Sequence, residues 1–118
     1  MVFNSDRPIY IQLAEDFKYK IACGSISLGE QLPSTTELTR AYNINQNTVL
    51  QAYELLKKQG LSVTKRGVGT FVVNDKKTLD ELRKQLKDSI VKNYKEQMWR
   101  LGFDTDEIVE AIYHGEKE

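Results

Sequence analysis

Gln46, Asn47 and Thr48, with Gln51 one turn later, gather uncharged hydrogen-bonding side chains at the start of a segment with helical periodicity. Such groups suit the edges of base pairs. Glutamine and asparagine engage adenine through two hydrogen bonds, and threonine offers a hydroxyl or a methyl contact. They are also at the right place, because the first residues of a helix laid in a major groove reach the bases. A polar cap on a short helical hairpin would need the same residue types, so this stretch alone leaves both readings open.

Other chemistry is poorly represented. Cys23 and His114 are single residues of their kind, which removes an internal disulfide and a zinc cluster of the usual spacing. No metal and no cofactor is expected. There is no nucleophile–base pair, and Gly67-Val68-Gly69 is too short for a nucleotide loop. An enzyme is therefore not expected. Cys23 has no basic neighbour to stabilise a thiolate, so a small packing residue is expected there rather than a redox sensor. His114 is expected at the surface.

The elements that hold the polar set can be read outward from it. Ser34 followed by Glu37 forms a capping box that opens a first helix. Leu38, Ala41 and Tyr42 give it a buried stripe, and Asn43-Ile44-Asn45 makes the turn, with Ile44 facing inward and Asn45 capping the next helix. Val49, Ala52, Tyr53 and Leu56 form the buried stripe of that second helix. Upstream, Arg7-Pro8 opens a helix with Ile9, Leu13, Phe17 and Ile21 along one face, Tyr10 and Ala14 beside them, and Gly24 at its end. Ser25 to Leu32 is a connector holding a very short strand and a turn. Downstream, Leu61–Lys65 and Thr70–Val73 are β-rich runs around Arg66-Gly67-Val68-Gly69, a tight hairpin with Lys65 and Arg66 at its tip. Two helices followed by such a hairpin make a winged helix-turn-helix, whose wing can reach phosphate or a minor groove.

From Thr78 the pattern changes. Leu79, Leu82, Leu86, Ile90, Tyr94 and Met98 form a long helical stripe with Trp99 and Leu101 near its end, and Gly102 breaks it. Asp104 with Glu107 caps a last short helix carrying Ile108, Val109, Ile112 and Tyr113. Two helices cannot hide this much apolar surface alone. The simplest sink is the same segment of a second chain, although packing back onto the winged helix would also cover it. Trp99, Tyr94 and Phe103 could instead line an effector pocket; dimer core is the simpler role.

The 118 residues suffice for one domain with an appendage, and no apolar run is long enough for a membrane. MVFNSDRPIY lacks the charged lead and apolar block of a secretory signal, so a cytoplasmic protein is expected. The 17 basic and 17 acidic residues cancel, and the balance holds on either side of Asp75. DNA affinity would thus rest on local cations, Lys57, Lys58, Lys65 and Arg66, and on two copies acting together. The expected fold is α+β, mainly α: a winged domain over residues 1–75 and a helical hairpin for dimerisation over 76–118.

Several pieces carry a family resemblance: Pro8-Ile9-Tyr10-Ile11-Gln12-Leu13, Leu32-Pro33-Ser34, Glu37-Leu38, Asn45-Gln46-Asn47-Thr48-Val49, Ala52-Tyr53-Glu54-Leu55, and Arg66-Gly67-Val68-Gly69-Thr70-Phe71-Val72. Over residues 7–74 the chain resembles the GntR family of bacterial transcription regulators. The forty or so residues that follow suit the YtrA-like subgroup rather than the MocR-like one, with its large aminotransferase-like domain. The resemblance implies a dimeric repressor on an inverted repeat, often controlling a transporter operon. It implies DNA contacts at Thr36, Gln46, Thr48, Leu50, Arg66 and Gly67, with Ser34 and Tyr53 near the backbone. Many members have arginine at the positions of Thr36, Gln46 and Leu50, where this chain is uncharged, which should move readout away from guanine. Double-stranded operator DNA and a second copy are the expected partners. A small-molecule effector would have to bind between subunits or between wing domain and tail. The alternative is a winged-helix interaction module that does not read DNA sequence.

Overall fold

The computed structural model describes residues 3–115; Met1 and Val2, part of the N-terminal stretch without a signal pattern, and residues 116–118 lie outside it. Among the described residues the order is α1 (Ile9–Ala22), α2 (Thr35–Tyr42), α3 (Gln46–Lys58), β1 (Ser62–Lys65), β2 (Gly69–Val72), α4 (Lys76–Arg100) and α5 (Thr105–His114). None of these helices is long and apolar enough to cross a membrane. The residues fall into two compact units, Met1–Leu82 and Arg83–Glu118.

In the first unit α1 lies on α3. Leu13, Ala14, Phe17 and Ile21 are buried on one helix and Val49, Ala52, Tyr53 and Leu56 on the other. Phe17 meets the Tyr53 ring edge-on at 5.7 Å between centroids. Full burial of residues such as Leu13, Val49 and Leu56 contributes about 1.5–3 kcal/mol each, which makes this helix pair the anchor of the unit. The α1 face differs from expectation at two places. Ile9 is exposed, and Gln12 is buried beside Leu13. The Gln12 amide accepts from the Asn4 N–H and donates to the carbonyls of Asn4 and Arg7, so it holds the N-terminal segment along the helix. Pro8 sits one residue outside α1 as its N-cap, where its carbonyl accepts the first helical N–H groups.

The capping box of α2 forms as read: Ser34 Oγ accepts from Glu37 N–H and the Glu37 carboxylate accepts from Ser34 N–H. Leu38 alone is fully buried, Tyr42 is half-buried, and Ala41 is exposed. A helix of two turns resting mainly on α3, with the Phe3 ring edge-on to Tyr42, needs only a narrow stripe. Asn43, at φ +52°, makes the left-handed turn into α3, and the Asn45 side chain accepts from Asn47 N–H at 2.8 Å.

β1 and β2 pair antiparallel with Ser62 opposite Val72, Val63 opposite Phe71, Thr64 opposite Thr70 and Lys65 opposite Gly69. The short strand in the connector is a single bridge, Gln31 to Phe71, on the outer edge of β2. Leu32 N–H donates to Thr70 O and Val72 N–H to Glu30 O on either side of it.

Asp75 caps α4, accepting from the Lys77 N–H and the Thr78 hydroxyl, and Asp104 with Glu107 forms the second capping box at α5. The tail readings need two corrections. Leu82, expected in an intersubunit stripe, is 5% exposed and belongs with the first unit, together with Leu79. Ile108 is 3% exposed within its own chain. Neither Leu82 nor Ile108 is free to meet a partner. The apolar surface left open lies at Ile90, Val91, Trp99, Leu101, Phe103, Val109, Ile112 and Tyr113, with Leu86, Tyr94 and Met98 half-buried.

Candidate nucleic-acid interface

Burial of Val49, Ala52, Tyr53 and Leu56 turns the opposite side of α3 outward. Gln46, Asn47, Leu50, Gln51 and Glu54 are exposed there, and Thr48 is half-exposed. The first turn holds no acidic residue, so the partial positive charge of the helix N-terminus stands unopposed beside these side chains. Ser34 and Thr36 are exposed at the start of α2. Because Ser34 Oγ is already an acceptor for the cap, its hydroxyl hydrogen is the part left to offer outward.

Tyr53, which the resemblance implies near the DNA backbone, lines the groove between α2, α3 and the wing. It is 8% exposed, and its hydroxyl donates to the carbonyl of Pro33. Burial raises the phenol pKa strongly, with the charges of Glu37 and Tyr42 adding to the effect. Tyr53 is a strut from α3 to the residue before the α2 cap, and it holds Ser34 in place.

The wing also sorts its residues. Strand alternation puts Thr64 and Thr70 on one face, with Ser62 and Val72, and puts Val63, Lys65 and Phe71 on the other. The Lys65 ammonium lies over the Phe71 ring at 4.6 Å, on that second face. The Lys65 charge is thus drawn toward one face of the hairpin. Arg66 stands in the turn, exposed and without an ion-pair partner among the described residues. Gly67 follows at φ +76°, a conformation that favours glycine, and Val68 N–H closes the turn on Lys65 O at 2.9 Å.

Between α2, α3 and the wing runs an open groove of about 350 Å³. Ser34, Thr35, Tyr53, Lys57, Thr64 and Thr70 line it with hydroxyls and one cation, Leu50 and Val68 with apolar surface, and Glu54 with a carboxylate. Thr35, Thr64 and Thr70 are the candidate residues that sequence reading missed. The parity of the hairpin register carried that signal for the two strand threonines.

Cys23 is exposed rather than packed, with Sγ 3.2 Å from Ser25 Oγ, and that hydrogen bond lowers its thiol pKa. His114 is exposed as expected. Trp99 borders a depression lined otherwise by Asn93, Glu96, Gln97 and Arg100, all on α4; Tyr94 and Phe103 do not join it. No group of three or more metal-ligating side chains occurs among the described residues.

Comparison with known proteins adds to this geometry. The family model described as bacterial regulatory proteins, gntR family, matches residues 9–72. The HTH-type transcriptional regulator YhcF of Bacillus subtilis is 32% identical over 110 residues, covering 93% of this chain and 91% of that protein. The HTH-type transcriptional repressor YtrA of the same organism is 34% identical over 94 residues, 75% of this chain and 72% of that protein. Among solved structures, a GntR family transcriptional regulator from Listeria monocytogenes superposes with a TM-score of 0.90 at 26% identity, covering 97% of this chain and all of that one. The DNA-binding domain of AraR in complex with operator ORX1 gives a TM-score of 0.57 at 28% identity, over 61% of this chain and 93% of that one.

Proposed function

The chain belongs to the gntR family of bacterial regulatory proteins, and from that premise we propose that it is a homodimeric repressor that binds an inverted-repeat operator. Its relatives are transcriptional regulators, not enzymes. The reading rests above all on one observation: the outward face of the first α3 turn is uncharged, exposed and hydrogen-bonding, on a helix whose other face is fully packed. Gln46, Asn47, Thr48 and Gln51 read base edges in the major groove. Arg66 in the wing contacts the backbone or minor groove beside it, and the groove between helix and wing takes the phosphate strand. With no arginine at Thr36, Gln46 or Leu50, the preferred half-site is rich in A·T pairs.

Dimerisation is supported by the open apolar surface of the tail. It is supported too by charge, since α4 carries an excess of lysine and arginine and α5 an excess of aspartate and glutamate. A second copy could cover the apolar surface while pairing these opposite faces. A dimer would also raise the affinity of a chain with no net charge, because each half-site binds only moderately. Repression follows from occupying the operator, and the likeness to the repressor YtrA favours it over activation.

The test is selection of duplexes from a randomised pool, with sedimentation of the free protein and of the complex. A palindromic consensus bound by two chains is expected. Sequence-independent binding at low salt, with a stable protein partner in pull-down, would favour an interaction module instead; the neutral charge and Glu54 in the groove are what speak for it.

A further inference from the structure

We propose that Gln31 is a positioning residue for DNA binding, fixing from the connector the wing tip that carries Arg66. The inference rests on the reading above, in which the wing touches DNA.

A two-stranded hairpin with an exposed turn is marginally ordered by itself. Here its outer edge is closed by the connector. Leu32 N–H to Thr70 O (2.8 Å) and Val72 N–H to Glu30 O (2.8 Å) pair the backbones. The Gln31 side chain carries the pairing one step further, donating from Nε2 to the Val68 carbonyl at 3.1 Å, inside the turn region itself. Gly69 completes the fit. A Cβ at position 69 would run into the Gln31 amide, so the absence of a side chain there makes room for this contact. Gln31 is exposed, so the contact adds little to the core. Its effect is to hold Arg66 and Gly67 in place before DNA arrives, which lowers the ordering cost of binding.

Gln31→Met keeps the shape and removes the donor. With a duplex selected from a randomised pool, it should weaken binding about fivefold, roughly the cost of ordering one backbone residue of the loosened tip at binding, and barely move the thermal midpoint, because in the free protein the freed tip offsets the lost bond. Arg66→Ala should weaken binding in the wild-type background and weaken it less in the Gln31→Met background, because a loosened tip has less to lose. Hydroxyl-radical protection should fade at the flanks of the site and persist at its centre. If Gln31→Met binds as tightly as wild type while Arg66→Ala does not, or if the two losses simply multiply, the positioning role is wrong although the wing reading stands. If Arg66→Ala is silent, the wing reading fails and takes this inference with it. If Gln31→Met lowers the thermal midpoint, backbone relaxation of the wild type at Gly67 and Val68 decides: strand-like order supports the proposal, and loop-like disorder overturns it.

Discussion

The hydroxyl of Tyr53 on α3 donates to the carbonyl of Pro33, twenty residues earlier and directly before the cap of α2. Two helices that must present one surface are thus tied by a bond between two residues that line the groove between them. Tyr53→Phe should cost about 1 kcal/mol of stability, one net hydrogen bond, read as a drop of several degrees in melting temperature. A tyrosine that touched DNA would instead lose affinity at unchanged stability.

The same residue gives a pH dependence. Its folded pKa lies well above the ordinary value of 10.0, so the fold retains a proton that the unfolded chain releases. Below pH 10 the residue has no effect on the slope. Above it, stability falls as pH rises, because only the unfolded state gains from ionisation. Denaturant titrations at alkaline pH should show a smaller fall for Tyr53→Phe than for wild type.

Ser62 lies in β1 at 4% exposure, and its Oγ has no hydrogen-bond partner among the described residues. A buried hydroxyl without a partner costs roughly 1–3 kcal/mol. Ser62→Val, which suits a strand and removes the hydroxyl, should raise stability by about 1 kcal/mol in a urea titration and leave DNA binding alone. A loss of stability would mean that a bound water satisfies the hydroxyl.

Two tail substitutions should part company. Ile112, 66% exposed, belongs to the proposed intersubunit surface, so Ile112→Asp should give folded monomers by sedimentation and weaken operator binding at least tenfold. Leu82 is buried, so Leu82→Ala should cost about 2–5 kcal/mol of folding stability. Dimerisation unaffected by Ile112→Asp would move the interface elsewhere.

How much was legible in the sequence depended on range. Both capping boxes, Ser34 with Glu37 and Asp104 with Glu107, were readable because all their atoms lie within one turn of chain. The amphipathic face of α3 was readable because four apolar residues repeat at its period. What escaped depends on distant partners. Gln12 is buried because the N-terminal segment folds over α1. The Tyr53 ring was legible as part of the buried stripe, but the partner of its hydroxyl, Pro33, lies twenty residues away and was not. The Lys65 ammonium lies over Phe71, diagonally across the strands, and no local pattern marks that pairing. Leu82 and Ile108 fit an open stripe by spacing, yet both are covered within the chain.

The central claim is that the first turn of α3 reads bases while the wing holds the backbone, and Gln46→Ala beside Arg66→Ala tests it most directly. Both variants should be titrated against a panel of single-base variants of the selected duplex at several salt concentrations. The expected result for Gln46→Ala is loss of about 1–3 kcal/mol of discrimination at one base position in each half-site, with the rest of the preference intact. For Arg66→Ala it is uniform weakening on every duplex, with the salt slope reduced by about one. Unchanged base preference in Gln46→Ala, or the same uniform loss in both variants, would contradict the account.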